Sequence, residues 1–546
     1  MKFALAQLNF HIGNFTENRN KIIENIKKAK GEGADVVLFP ELAISGYPAR
    51  DFLDFDHFVQ CCLGEMETIA KECIGITAIV GGPDFNKDSR GKDLKNSAFV
   101  LADGKIQSKH QKMLLPNYDV FDEYRYFEPS KSVYPTEING ETWAITICED
   151  IWDLKPDSQY AIHPLEELFR KSKIMGVINI ASSPFSDVQR EERLETVKAV
   201  YDQYKVPVIY VNQVGAQTEL IFDGGSCVIN ENGKLIEGPY FKEQLLFWEN
   251  KSDRFSNFEE EKQIERIERI HQGLLLGIKD YFRKLGFKSA ILGLSGGIDS
   301  AVTLALAVEA LGKENVTAVL MPSEFSSDHS VSDSEEMVNI LGCNSYKLPI
   351  KEGYHALLGT LKEPFSETDF GLAEENLQAR IRGVLLMAIS NKQGQILLNT
   401  SNKSEIAVGF GTLYGDMCGG ISVIGDVYKT DVYRLARHLN KNGVVIPENI
   451  ITKAPSAELR PDQLDSDRLP DYDTLDSILK LYIEETQDIN AIIRALTETD
   501  EATIRKTLKL VNINEYKRHQ TPPILRVTKK AFGQGRRMPI VAKYLG

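Results

Sequence analysis

The stretch "SAILGLSGGIDSAVTLALAVEAL", from Ser289, constrains this chain more than any other. "SAILGLS" has the pattern of a buried strand and "SAVTLALAVEAL" that of a helix, so Gly296-Gly297 falls between a strand end and a helix start. Free backbone N–H groups and the helix dipole favour an anion there, and glycine lets that anion approach the backbone closely. Asp299 adds a negative charge, which makes sense beside phosphate if Mg²⁺ lies between them. The loop lacks the Gly-Lys-Ser/Thr ending that grips a triphosphate. A lone Gly-Gly would read as a turn capped by Asp299 or Ser300; the six-residue run Ser-Gly-Gly-Ile-Asp-Ser between strand and helix reverses that preference.

The loop begins almost 300 residues into a chain of 546. The first half alternates strand and helix patterns. "FALAQLNF", "ADVVLFP", "ITAIVGGP", "NSAFVLA", "TWAITIC", "GVINIAS" and "VPVIYVN" predict strands in an α/β layered fold. "FDGGSCVINENGKLIEG" predicts a hairpin turning at Asn232-Gly233. After about Phe247 the texture becomes polar, then amphipathic, with Ile264, Ile267, Ile270, Leu274 and Ile278 three or four apart. The expected division is a domain over residues 1–248, a linker over 249–260 and a second domain over 261–546. In the second domain "SAILGLS", "VTAVLMP", "NSYKLPI" and "GQILLNT" predict strands separated by helices.

A formal charge of -14 argues against a partner such as nucleic acid, which needs a basic face. No apolar run approaches the roughly 18 residues of a membrane-spanning helix. The alternating N-terminal segment reads as a strand and not a signal peptide. Seven scattered cysteines without a C-x-x-C pair fit a reducing cytoplasm.

Ser-Gly-Gly-x-Asp-Ser resembles the pyrophosphate loop of the ATP pyrophosphatase superfamily, whose members cleave ATP between the α- and β-phosphates. "MPSEFSSDHSVSDSEEMVNILG", "EENLQARIRGVLLMAISN", "LLNTSNKSEIAVGFGTLYGDMCGG" and "YKRHQTPPILRVTKKAFGQGRRMPI" narrow the resemblance to the NAD⁺ synthetases, from about residue 260 onward. It implies a Rossmann-like parallel sheet. It also implies that ATP is bound by Gly293, Leu294, Ser295, Gly296, Gly297, Ile298, Asp299, Ser300, Thr400 and Lys429. Deamido-NAD⁺ would be held by Asn376, Glu405 and Lys517, and Mg²⁺ by Asp299 and Glu405. An amide such as Asn376 both donates and accepts, and lysines suit phosphate as point charges. Leu413 stands where ammonia-using members carry a lysine, which points to the glutamine-using branch.

In the first half, Cys148 ends "TWAITIC" at a turn, the exposed position expected of a nucleophile. Glu41 ends "ADVVLFPEL", where a core carboxylate would be costly without a task. Lys112 follows a strand and precedes a loop. Singly, each reads more simply as an inert cysteine, a capping glutamate or a surface lysine. Together they resemble the Glu-Lys-Cys triad of the nitrilase (carbon–nitrogen hydrolase) superfamily over residues 1–245, which implies an α-β-β-α sandwich. Glu41 would act as base, Lys112 would stabilise an oxyanion, and Cys148 would form a thioester. Tyr118, Ser183 and Gln189 fall at the glutamine-binding positions. The third is usually basic, which leaves Arg190 or Arg193 as substitutes for grip on the α-carboxylate.

The two resemblances together imply a glutaminase feeding ammonia to a synthetase: a carbon–nitrogen ligase with small-molecule substrates that forms homo-oligomers through its synthetase domain. Another glutamine-fed ATP pyrophosphatase or a non-catalytic nucleotide sensor remains open at this point.

Overall fold

The structure is a computed structural model that describes residues 1–88, 90–154, 160–259, 264–461 and 463–544. The chain divides into two compact units, Met1–Gln263 and Ile264–Gly546.

The first unit is built on two six-stranded sheets. In one, Lys2–Gln7 lies between Gln244–Glu249 and Val36–Leu38, followed by Thr77–Phe85, Leu94–Ala102 and Lys105–Gln111. In the other, Glu141–Ile147, Gly176–Ala181 and Val208–Asn212 run parallel at the centre. Its margins are Thr136–Ile138 on one side and the hairpin of Cys227–Ile229 with Leu235–Glu237 on the other. Asn232-Gly233 lies in the hairpin loop, with Gly233 at φ 79°.

Alternation along the strands explains the layering. Phe3, Leu5, Val36, Leu38 and Ile79 pack in one buried cluster with the second sheet, and Phe3 meets Trp143 edge-on at 4.9 Å. The opposite face, with Ala4, Val37 and Val80, is covered by Ile22 and Ile26 of helix Phe15–Gly31 and by Val59 and Met66 of helix Asp56–Glu72. Helices Pro164–Lys171 and Gln189–Tyr204 contribute Leu165, Leu168, Val197 and Val200 to the cluster around the second sheet. The result is an α-β-β-α sandwich.

Most of the expected linker binds the first unit. Phe247 N–H donates to Asn257 Oδ1 at 2.9 Å, Ser256 N–H donates to Phe247 O at 2.8 Å, and Phe255 is buried.

The second unit holds a five-stranded, wholly parallel sheet in the order Asn344–Lys347, Val316–Leu320, Ala290–Gly293, Ile396–Asn399, Ile421–Ser422. The first strand in sequence is central, so the connections reverse between Ala290–Gly293 and Ile396–Asn399. A crevice opens at the carboxyl ends of the strands at such a switch point. Helices Arg266–Leu285, Ile298–Leu311 and Lys429–Leu439 pack on one another. Leu372–Gln393 packs on the sheet through Ile381 and Leu386. Farther along, Tyr472–Ile483, Ile489–Ala495 and Glu501–Ile513 form a helical cluster against Lys403–Val408.

Candidate active sites

In the first unit Glu41 lies three residues beyond strand Val36–Leu38, and Lys112 directly follows Lys105–Gln111. Cys148 directly follows Glu141–Ile147 in the facing sheet. The Glu41 turn fits only because Gly81 has no side chain: a Cβ there would lie 2.4 Å from Leu42 N and 2.7 Å from Glu41 Cα.

Lys112 Nζ donates to Glu41 Oε1 at 2.7 Å. The same oxygen accepts from Asn96 Nδ2 at 2.7 Å, and Oε2 accepts from Ser182 N–H at 3.1 Å. A second carboxylate, Glu123, accepts from Lys112 Nζ through both oxygens at 2.9 Å. Burial pushes the Glu123 carboxyl up to about 7 despite the opposing pull of Lys112. Burial by itself would drive the Lys112 ammonium down; Glu123, then Glu41, outweigh it and hold the pKa well above the ordinary lysine value.

Cys148 is only 4 % exposed, which corrects the expectation of an exposed nucleophile: the turn is closed over by its own unit. Its φ of 45° is in the left-handed region, a strained conformation fixed by neighbours. Asp150 supplies much of that restraint. Its Oδ1 accepts from Met113 and Leu114 N–H at 2.9 Å each, and Oδ2 accepts from Ile147 N–H at 3.0 Å. The turn carrying Cys148 is thereby stapled to the segment that follows Lys112. Burial, then the charge of Glu41, pushes the Cys148 thiol well above its ordinary range, with Lys112 opposing.

Tyr118 donates through its hydroxyl to Glu149 Oε1 at 2.9 Å, as does Tyr160. Gln189 Nε2 donates to Ser183 Oγ at 3.3 Å. Both neighbouring arginines are engaged. Arg193 is fully buried against Asp223 at 2.6 Å, and Arg190 pairs with Glu237 at 2.7 Å. Sequence reasoning missed Glu123, Glu149 and Asp150 as parts of this site. The only local signal was three acidic residues in segments otherwise committed to turns.

In the second unit every position expected to bind nucleotide or metal lines one cavity of about 460 Å³, except Gly296. Gly296 has φ 78°, and a Cβ there would lie 2.4 Å from Ser330 O, so it shapes the loop from behind. Ser300 Oγ accepts from Ser295 N–H at 3.3 Å and donates to Gly297 O at 2.9 Å, bracing the turn at the start of helix Ile298–Leu311.

Asp299 Oδ2 accepts from Lys429 Nζ at 2.5 Å, and Glu405 Oε1 lies 3.4 Å from the same nitrogen. Asn402, which the sequence reading missed, connects the parts. Its Nδ2 donates to Asp299 Oδ1 at 2.8 Å, while its Oδ1 caps helix Lys403–Val408 by accepting from Glu405 N–H at 3.0 Å. Burial, then the neighbouring Asp299, pushes Glu405 up to about 8 against the pull of Lys429. Lys517 Nζ donates to Gly409 O and Gly411 O at 2.8 Å each, and Asn376 Oδ1 accepts from Thr412 Oγ1 at 2.7 Å. Asp465, also missed, lines the cavity and accepts from Tyr472 hydroxyl at 2.8 Å.

A carbon-nitrogen hydrolase family model matches residues 2–154, and an NAD synthase model matches residues 270–521. The glutamine-dependent NAD(+) synthetase of Synechocystis sp. is 44% identical over 99% of this chain and 98% of its own length. Its counterpart in Acinetobacter baylyi is 40% identical over 99% and 98%. The solved glutamine-dependent NAD+ synthetase of Acinetobacter baumannii, in complex with adenosine diphosphate, matches with a TM-score of 0.78 at 39% identity, covering 99% of this chain and 98% of that one.

Fold and matches together define the class: a carbon-nitrogen hydrolase domain followed by an NAD synthase domain in one chain. At 35–44% identity to curated members over nearly its whole length, the chain belongs to the glutamine-dependent NAD(+) synthetase family.

Proposed function

We propose that this chain converts deamido-NAD⁺, ATP, L-glutamine and water to NAD⁺, AMP, diphosphate and L-glutamate. The observation that carries the reading is one chain holding both the buried Glu41–Lys112–Cys148 constellation and a phosphate loop whose Asp299 meets Lys429 and Glu405.

In the first domain Glu41 takes the thiol proton as Cys148 Sγ attacks the glutamine amide carbon. Lys112 stabilises the oxyanion, and collapse breaks the C–N bond as Glu41 hands the proton to the leaving nitrogen, releasing ammonia. Water, deprotonated by Glu41, then cleaves the thioester to give glutamate. Tyr118, Ser183 and Gln189 orient the substrate.

In the second domain the nicotinate carboxylate of deamido-NAD⁺ attacks the α-phosphorus of ATP, and diphosphate leaves. Ammonia adds to the acyl-adenylate and AMP departs. Activation is needed because a carboxylate is a poor electrophile with a poor leaving group. The loop Gly293–Ser300 and Lys429 hold ATP phosphate, Thr400 contacts the nucleotide, and Asn376, Glu405 and Lys517 orient deamido-NAD⁺.

The oxygen donors of Asp299 and Glu405 fit Mg²⁺, which is commonly held by one or two carboxylates plus substrate phosphates. Among the described residues no group of three or more metal-type side chains gathers, in keeping with phosphates completing the set. When bound, Mg²⁺ neutralises charge on the departing diphosphate.

No helix among the described residues is long and apolar enough to cross a membrane. The seven cysteines are free, in keeping with the cytoplasm as the site of action. Self-association through the synthetase domain completes the reading and is checked by sedimentation.

The deciding experiment measures AMP and diphosphate release with deamido-NAD⁺, with and without glutamine. Stimulation by a different acid identifies another amidotransferase, and no AMP from any acid identifies a binding protein.

A further inference from the structure

Helix Leu372–Gln393 turns one stripe toward the nucleotide cavity, with Glu375, Ala379, Arg382 and Leu386 spaced three or four apart. Three of these are engaged or small: Glu375 accepts from Arg468 at 3.2 Å, Ala379 packs behind Gly415, and Leu386 is buried in the core. Arg382 is different. Its Nε donates to Met321 O at 3.1 Å, one residue beyond strand Val316–Leu320. Its terminal nitrogens have no protein acceptor, and no carboxylate lies within ion-pairing distance, among the described residues.

Two carboxylates stand in its vicinity and both are committed. Asp416 Oδ1 accepts from Thr412 N–H at 2.6 Å. Glu458 accepts from Ser330 Oγ at 2.6 Å and from Ser327 through its hydroxyl at 2.9 Å and its N–H at 3.3 Å. Burial pulls the Arg382 guanidinium down to about 10, with Asp416 and Glu458 only partly opposing. A half-buried guanidinium held by one hydrogen bond to the backbone and, among the described residues, by no ion pair, with its terminal nitrogens open to the cavity, is suited to a ligand that completes it.

The location says which chemistry completes it. Strands Val316–Leu320 and Ala290–Gly293 are neighbours in the sheet, and Leu294 N–H donates to Val319 O at 2.9 Å. A Cβ on Gly293, where the phosphate loop begins, would lie 3.2 Å from Met321 Cε. The guanidinium is therefore anchored beside the root of the phosphate loop and opens into the same cavity.

We propose that Arg382 receives a phosphate of a bound nucleotide, using the fork its terminal nitrogens present; this rests on the functional reading above. The phosphate belongs either to ATP or to the pyrophosphate bridge of deamido-NAD⁺, and the two sources are separable.

The test is titration calorimetry of the full chain with Mg²⁺, using α,β-methylene ATP and deamido-NAD⁺ as separate probes. Arg382→Gln and Arg382→Met should weaken one of them on the order of tenfold or more and leave the other within about twofold. Thermal melts of the free protein should show Arg382→Met folded and close to the parent in Tm, because the substitution breaks one hydrogen bond to the backbone and no ion pair among the described residues. The stabilisation added by the affected nucleotide should shrink. Arg382→Lys keeps the charge without the fork and should recover part of the affinity; it carries the test if the Met variant does not fold. A parent that binds both probes, with variants that match it, overturns this inference alone. A parent that binds neither overturns the functional reading and this inference together.

Discussion

Lys429 Nζ lies 2.5 Å from Asp299 Oδ2, joining the first turn of helix Lys429–Leu439 to the first turn of the helix that follows the phosphate loop. Glu405, 3.4 Å from the same nitrogen, makes the ammonium the shared counter-ion of two carboxylates. In the proposed reaction these two carboxylates would hold Mg²⁺ and Lys429 would hold ATP phosphate, so the three side chains already gathered here would serve one charged substrate.

Asp299→Ala should therefore abolish NAD⁺ formation from glutamine and from ammonium alike. Losing a carboxylate that places a metal at the leaving diphosphate typically removes several kcal/mol of barrier lowering. Near-normal synthesis with ammonium chloride would rule out this role.

Glutamine recognition should respond to charge at position 189. Gln189 is neutral, and Arg190 and Arg193 are held by Glu237 and Asp223, so a lysine at 189 would add a cation beside Ser183. Gln189→Lys is expected to lower the glutamine KM by about threefold to tenfold with kcat unchanged, the signature of uniform binding. An unchanged KM means that another group already holds the carboxylate. Arg193→Ala should instead lower Tm, because it strands Asp223 without its partner in the core.

Glu123 offers a stability test whose sign is fixed by its environment. Burial lifts its carboxyl from 4.5 to about 7 in the folded protein, so the native state keeps a proton that the unfolded chain releases. Stability from that proton is fully present below about 4.5, declines as pH rises, and is lost once pH passes about 7. Glu123→Gln cannot titrate. The difference in Tm between parent and variant should therefore shift against the parent between those limits and level off above them. Melts at half-unit pH intervals check this, and a flat difference across the window contradicts the buried titration.

Strands rich in Val, Ile and Ala were legible because burial on both faces leaves little freedom of composition. Lys105–Gln111, "KIQSKHQ", was expected only as a strand somewhere ahead of Lys112 and without bounds: it is an edge strand with charged and amide side chains, and its register against Leu94–Ala102 defines it. Gln244–Glu249 was not among the expected strands, and its last residue fell in the expected linker, because its partner, Lys2–Gln7, lies more than 200 residues away in sequence. The helices from Tyr472 onward carried a readable signal: Asp471, Asp488 and Asp500 each cap one by accepting a backbone N–H. Residues defined by spacing inside a motif, such as Gly296 and Asp299, could be named from sequence. Glu123, Asn402 and Arg382 could not, because their roles depend on which distant groups are buried beside them.

The sharpest division between the two halves comes from Cys148. In the proposed reaction the only product of the Cys148 step needed downstream is ammonia, so Cys148→Ala should abolish glutamine-supported synthesis and spare synthesis from added ammonium. The thiol is buried behind a left-handed turn, but that turn is held by Asp150 and by Asn179 Nδ2, which donates to Cys148 O at 3.2 Å. Neither restraint involves sulfur, so removing it should cost at most a few kcal/mol in packing. A residue important only for packing would instead cost both activities through misfolding, or neither. Hydroxylamine should trap a glutamyl thioester in the parent and none in the variant. A variant that still uses glutamine would remove Cys148 from the reaction and leave the buried pairs of Lys112 with Glu41 and Glu123 without a catalytic task.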